Sequence, residues 1–199
     1  MKPIETNTTY DQDLIRCPWC GEDGTYVAYH DQEWGQPLKD NQRLFEALIL
    51  DGAQAGLSWI TILKRRPAYR AAFDGMNPEK IAKYGEKDIE RLMGNQGIIR
   101  NQRKIRSAIV NAQCYIALME GPVTFSQWLW DWVDGEPIIH YFKTYAEVPT
   151  ATALSCKIAQ ELKKQGFSFV GPTIMYAYMQ AVGMVNDHLI SCFKHPLQQ

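Results

Sequence analysis

Two Cys/His pairs lie at opposite ends of this chain of 199 residues: Cys17 with His30 near the start, and His188 with Cys192 in the segment NDHLISC near the end. No other feature restricts the fold as much, because one tetrahedral ion held by all four side chains ties the termini together. The spacing of four predicts a helix that presents His188 and Cys192 from one face, a turn apart. Residues 17–30 contain Pro18, Gly21 and Gly24 and read as a loop that brings Cys17 and His30 to the same ion. Spacing alone leaves other choices open. Cys20 completes a Cys17-Pro-Trp-Cys20 run, which serves a redox dithiol as well as half of a zinc site, and His195 competes with Cys192. Reduced buried thiols with surface histidines are the metal-free alternative. Five cysteines cannot all pair within one chain, and Cys114 and Cys156 fall in helical patterns as small core residues. A disulfide framework is therefore not expected.

Beyond residue 40 the pattern is helical almost throughout. Leu44, Phe45, Leu48 and Ile49 mark an apolar helix face capped by Asp40 or Asn41, which Gly56 ends or bends. Ser58 opens a short helix that Pro67 stops, and Asn77-Pro78 opens another. KDIERLM is a further helix, followed by a turn between Gly94 and Gly97. A long amphipathic helix then carries Ile105, Ala108, Ile109, Ala112 and Ile116 on one side. Thr124 and Thr152 cap two more, and the last runs from about Pro172 past Gly183 toward the NDH segment. Residues 141–148 are the one candidate extended piece, with nothing obvious to pair with. The fold class expected is all-α, a two-lobed helical bundle, with a polar N-terminal tail over 1–16 and a single domain over 17–199. Hydrophobic residues at 46% allow a sizeable core, and no apolar run is long enough to span a bilayer. A cytoplasmic monomer is expected. The net charge of -1 says nothing for nucleic acid overall, so such a role has to rest on local basic segments.

Two segments carry chemistry. Residues 88–110 combine a helix, a glycine turn (GNQGIIRNQ) and a longer helix, the layout of a helix-hairpin-helix. There Gly97 allows close backbone approach to a DNA phosphate, and Arg100, Arg103, Lys104 and Arg106 follow at once. The same pattern also suits plain packing with a solvated basic face. The second segment is aromatic and acidic: Tyr26, Tyr29 and Trp34, then Asp51 and Trp59. An extruded nucleobase needs aromatic faces to stack on and a few polar groups to read its edge, and a cationic base gains further from aromatic faces and a carboxylate. Trp and Tyr serve equally as core anchors. Asp51 is harder to explain that way, because it follows the apolar run ALIL near a helix C-terminus, where negative charge is disfavoured. No G-x-S-x-G, Walker loop or dinucleotide fingerprint is present.

The stretches AYHDQEWGQP, QAGLSWITILKRR, GIIRNQRKIRSAIVNA, GFSFVGPTI and MQAVGMVNDH resemble the 3-methyladenine DNA glycosylase I family, from Cys17 to about Cys192. The resemblance implies an all-α fold of the helix-hairpin-helix glycosylase superfamily and excision of 3-methyladenine from alkylated double-stranded DNA. It implies one zinc held by Cys17, His30, His188 and Cys192, with Cys20 a bystander. With all four ligands from the protein, that zinc is expected to be structural. It further implies a base pocket of Tyr26, Tyr29, Asp51 and Trp59, with Asp51 as the catalytic carboxylate. Gly56 and Leu57 are implied as a wedge in the duplex, and Gly97, Arg100, Arg103 and Lys104 are expected at the DNA backbone. The departure is Asp51, where the family usually has Glu. A non-catalytic binder of alkylated DNA on the same scaffold, and a thiol redox protein, are the competing readings.

Overall fold

Most helix starts fall where the sequence places a capping side chain. Asp40, Asn77, Asn101, Thr124 and Thr152 each accept hydrogen bonds from amides of the first turn that follows them. The computed structural model, which describes residues 13–199, contains α1 (Gly24–Gln32), α2 (Asn41–Gln54), α3 (Trp59–Ala72), α4 (Pro78–Ile81), α5 (Glu86–Gly94), α6 (Gln102–Met119), α7 (Phe125–Trp130), α8 (Ala153–Lys164) and α9 (Pro172–Ala181). The fold is mostly helical, as expected. Among the described residues no helix is long and apolar enough to cross a membrane.

α2 lies at the centre and touches α3, α6, α7 and α9. Its last turns are covered on every side: Leu48 to Ala53 are all buried, so Asp51 is carried into the core by its neighbours. A helix apolar around most of its circumference is a core helix, and a carboxyl on it loses its water.

Four expectations change. Residues 17–30 are not all loop, since Asp23 accepts from the amides of Thr25 and Tyr26 and starts α1. Pro67 does not stop α3, which runs unbroken to Ala72. Ile62 and Leu63 before it and Tyr69 and Ala72 after it are all buried, and that packing outweighs the lost hydrogen bond, a cost of about 3 kcal/mol. Two short strands exist, β1 (Ile138–Ile139) and β2 (Val185–Asn186), paired in parallel. The last helix ends at Ala181, so His188 and Cys192 sit in turns and not on a helix.

Gly183 explains that ending. Its φ is +72°, and a Cβ there would lie 2.3 Å from the carbonyl carbon of Gln36, so only glycine fits. The chain turns, enters β2, and turns again where Asn186 Oδ1 accepts the His188 amide. Of the polar tail expected over 1–16, residues 1–12 lie outside the described residues. The remaining four are fastened: Ile15 accepts from the Phe193 amide at 2.9 Å, and Arg16 pairs with Asp31 at 2.9 Å.

Candidate functional site

Cys17, His30, His188 and Cys192 meet in one cluster, a clasp between the two ends of the chain. Their ligand atoms lie within 4.8 Å of one another, and all four residues are buried. Cys192 Sγ is 3.4 Å from His30 Nε2 and 3.5 Å from His188 Nδ1, and Cys17 Sγ is 3.7 Å from His188 Nδ1. Bonds of about 2.0–2.3 Å to one tetrahedral zinc set ligand-to-ligand edges of about 3.3–3.8 Å, which these three separations match. The outer shell fits too. His30 Nδ1 lies 2.7 Å from Asp31 Oδ1, and His188 Nε2 lies 3.2 Å from the Trp34 carbonyl, so each imidazole can donate outward and turn its other nitrogen inward. The amides of Leu189 and Lys194 donate to the sulfurs of Cys17 and Cys192. Cys192 is pulled down by hydrogen bonds from Cys17, His188 and His30, while Cys17 is pushed up by that same bond and by burial.

The competing ligands point elsewhere. The Cys20 thiol donates to the Cys17 carbonyl at 3.2 Å, and burial pushes its pKa up to about 11, the opposite of an activated redox thiol. His195 is engaged by the His140 carbonyl and the Leu197 amide.

Beside the clasp is a cavity of about 180 Å³. α1 supplies Tyr26 and Tyr29, three residues apart on one face; α2 supplies Asp51; α3 opens with Trp59. Trp34 also lines it, and so do residues the sequence reading missed, among them Trp19, Gln54, Tyr145 and Gln180. Trp19 stands between Cys17 and Cys20, and that position was its only signal. The rings interlock, with Trp19 and Tyr26 centroids 5.0 Å apart, Trp19 and Trp34 4.9 Å, and Tyr29 and Trp59 5.5 Å. Tyr145, 60% exposed, stands at the edge. Asp51, Tyr29 and Trp59 also line a second cavity of about 280 Å³, whose other walls include Glu33, Arg43 and Arg66.

Asp51 is 2% exposed and its carboxyl is pushed well above the usual aspartate value by burial. Burial likewise raises the Tyr26 and Tyr29 phenols. Among the described residues, three buried side-chain polar atoms have no hydrogen-bond partner: Trp19 Nε1, Asp51 Oδ2 and Trp59 Nε1. All three residues line this cavity, and Asp51 and Trp59 line the larger one as well. Buried polar groups are normally satisfied, so two donors and one acceptor left open in an aromatic cavity describe the polar outline of a ligand.

α5 and α6 follow one another across the turn and pack together, and the glycine of that turn is used for packing. A Cβ on Gly97 would lie 2.8 Å from Ala68 Cβ, so this glycine lets the turn pack on α3. Asn101 Oδ1 already occupies the amides of Arg103 and Lys104. Arg100 and Arg103 are exposed. Arg106 is held in a bidentate pair with Glu86, and the Lys104 ammonium is bonded to the carbonyls of Ala53 and Ala55. The expected backbone contact of Lys104 is thus not what this geometry offers. Leu57, 40% exposed, follows Gly56 at φ +77° on the loop after α2.

The helical fold thus sets a group of aromatic rings around a cavity, beside a buried carboxyl. The family model described as methyladenine glycosylase matches residues 19–195. DNA-3-methyladenine glycosylase 1 of Escherichia coli (strain K12) is 46% identical over 183 residues, 92% of this chain and 98% of that protein. A crystal structure of 3-methyladenine DNA glycosylase I superposes with a TM-score of 0.90 at 48% identity, over 92% of this chain and all of that one. A variant of 3-methyladenine DNA glycosylase I solved in complex with 3-methyladenine superposes at 0.88 with 35% identity, over 91% of this chain and 97% of that one. The chain belongs to the methyladenine glycosylase family.

Proposed function

We propose that this glycosylase hydrolyses the N-glycosidic bond of 3-methyladenine in alkylated double-stranded DNA, acting on a nucleotide turned out of the stack. The observation that carries the reading is that the three residues with unpartnered buried polar atoms, Trp19, Trp59 and Asp51, line one aromatic cavity. Relatives named for this activity, and a relative holding 3-methyladenine, support it.

Methylation at N3 leaves the base cationic while it is bonded to the sugar. Tyr29 and Trp59 offer aromatic faces to that charge, and Asp51 offers a carboxylate to it and to the exocyclic amine. The C1′–N9 bond breaks with its electron pair passing to the base, which leaves neutral. Water adds at C1′ and loses its proton to solvent. A strong general acid is not required. Asp in place of the family's Glu sets the carboxylate back by about 1–1.5 Å, so direct contact with the base is weaker than the family norm. Gly56 and Leu57 fill the gap in the duplex, and Arg100 and Arg103 hold its backbone.

Replacing Arg100 and Arg103 by alanine is expected to lower the salt dependence of duplex binding by about 0.9 in log–log slope for each phosphate that is no longer neutralised, read by fluorescence anisotropy at several salt concentrations.

The enzyme acts without strand cleavage. A lyase needs a free amine to attack C1′, and the Lys104 amine is bonded to two carbonyls. A labelled methylated duplex incubated with the protein is expected to stay intact on a denaturing gel until alkali cuts the abasic site. Cutting before alkali would contradict the hydrolytic reading.

Zinc is part of the proposal: Cys17, His30, His188 and Cys192 would hold one ion. With no coordination position open it supplies no activated water, only a brace. It holds Tyr26 and Tyr29, which lie between its first two ligands, beside the end of α2.

A further inference from the structure

Lys104 is placed against the electrostatics of its own helix. It sits in the first turn of α6, where the helix dipole disfavours positive charge. Its side chain crosses to the C-terminal end of α2, where the same effect favours a cation, and donates to Ala53 O at 2.9 Å and Ala55 O at 2.6 Å. Those carbonyls close the turn that begins two residues after Asp51 and leads into Gly56 and Leu57. The turn's own backbone closes it unevenly: the Ala55 amide reaches Gly52 O at 3.4 Å, and the Leu57 amide reaches Gln54 O at 2.6 Å. The Leu57 side chain itself is 40% exposed.

Arg103, the neighbour of Lys104, is exposed and turned to solvent on the hairpin. One turn of α6 thus faces both ways, outward through Arg103 and inward through Lys104. We propose that Lys104 is a positioning residue whose ammonium ties the end of α2 to the hairpin, fixing the Gly56–Leu57 wedge and Asp51 relative to the gripped DNA backbone. The role rests on the glycosylase reading above. It differs from a phosphate contact, which needs the same charge pointed at solvent.

Lys104→Met keeps the aliphatic length and removes the donors; Lys104→Arg keeps a cation able to reach both carbonyls. With the full chain, Lys104→Met is expected to lower kcat/KM for base release from methylated duplex by about 10- to 100-fold, as a displaced reacting geometry does. Affinity for free 3-methyladenine, followed by tryptophan fluorescence, is expected to stay within about twofold, because the cavity is lined without Lys104. The salt slope of binding to unmodified duplex stays as in the wild type, the amides of Gly56 and Leu57 exchange faster, and Lys104→Arg restores most of the rate.

A slope that falls by about one would make Lys104 a phosphate contact and overturn the proposal. Unchanged release with unchanged amide exchange would overturn it as well, as would an equal loss of free-base affinity. A wild-type protein that released no base would count against the glycosylase reading, and the amide exchange and salt slope would still decide for or against the tie.

Discussion

Asp51→Asn is expected to cost base release heavily while making the protein more stable. Asparagine keeps the shape but cannot ionise to meet a cationic base, a loss of about 3 kcal/mol or roughly 10²-fold in kcat/KM, read as 3-methyladenine released from methylated duplex. The same change relieves the fold. Asp51 is buried, its Oδ2 has no partner, and burial holds its carboxyl well above the ordinary value of 3.8. The unfolded chain gives up this proton near 3.8 while the folded chain keeps it, so folding becomes less favourable as pH rises above that value. The loss is complete once pH passes the raised folded value. The stability gap between Asp51→Asn and the wild type is therefore expected to be small near pH 3.8 and to widen toward neutral pH, reaching about 1–3 kcal/mol. Denaturant melts at a series of pH values measure it. A variant both inactive and less stable at neutral pH would mean that Asp51 is a structural residue. Asp51→Glu restores the family's reach and is expected to strengthen capture of the base, by about 1–3 kcal/mol where a direct hydrogen bond replaces a longer one.

Loss of the clasp is the second large effect. Removing one sulfur leaves three buried ligands facing each other at the centre of the small cluster of Cys17, Tyr29, Trp34, Leu63, Leu189 and Cys192, which packs apart from the main core. Cys17→Ser, or prolonged chelation, is expected to remove one zinc per chain and lower the melting temperature by about 10 °C or more. Base binding fails with it, because Trp19, Tyr26 and Tyr29 lose their anchor. Cys20→Ser keeps the metal, since its thiol points to a backbone carbonyl. Elemental analysis with thermal melts of the two variants decides the matter. Metal lost from Cys20→Ser, or none in the wild type, would contradict the assignment.

The sequence was most legible where a local signal agreed with the packing. Asp40, Asn77, Thr124 and Thr152 were readable as caps, and each cap is in place. α1 was not legible because GTYVAYHDQ has no one-sided apolar stripe; both its faces are used, one for the clasp and one for the cavity. Asp23 was the available signal. Pro67 is the reverse case, a strong local stop overruled by buried residues on both sides. The clasp was legible as a set of residues but not as a geometry, since the turn that places His188 and Cys192 depends on Gly183 meeting a loop far away in sequence. Lys104 shows the limit of charge reading. Its position in a basic run pointed to DNA, and only the three-dimensional path of the side chain shows the carbonyls that hold it.

Excision of 3-methyladenine by this cavity, with Asp51 in place of the family's Glu, is tested most directly by chromatographic detection of free base. Methylated duplex is incubated with the wild-type protein, Asp51→Glu and Asp51→Asn. Free 3-methyladenine is expected from the wild type, at least as much from Asp51→Glu, and little from Asp51→Asn. No base from the wild type with release from Asp51→Glu would contradict the proposed activity, and would make the protein a binder of alkylated DNA that one methylene separates from catalysis.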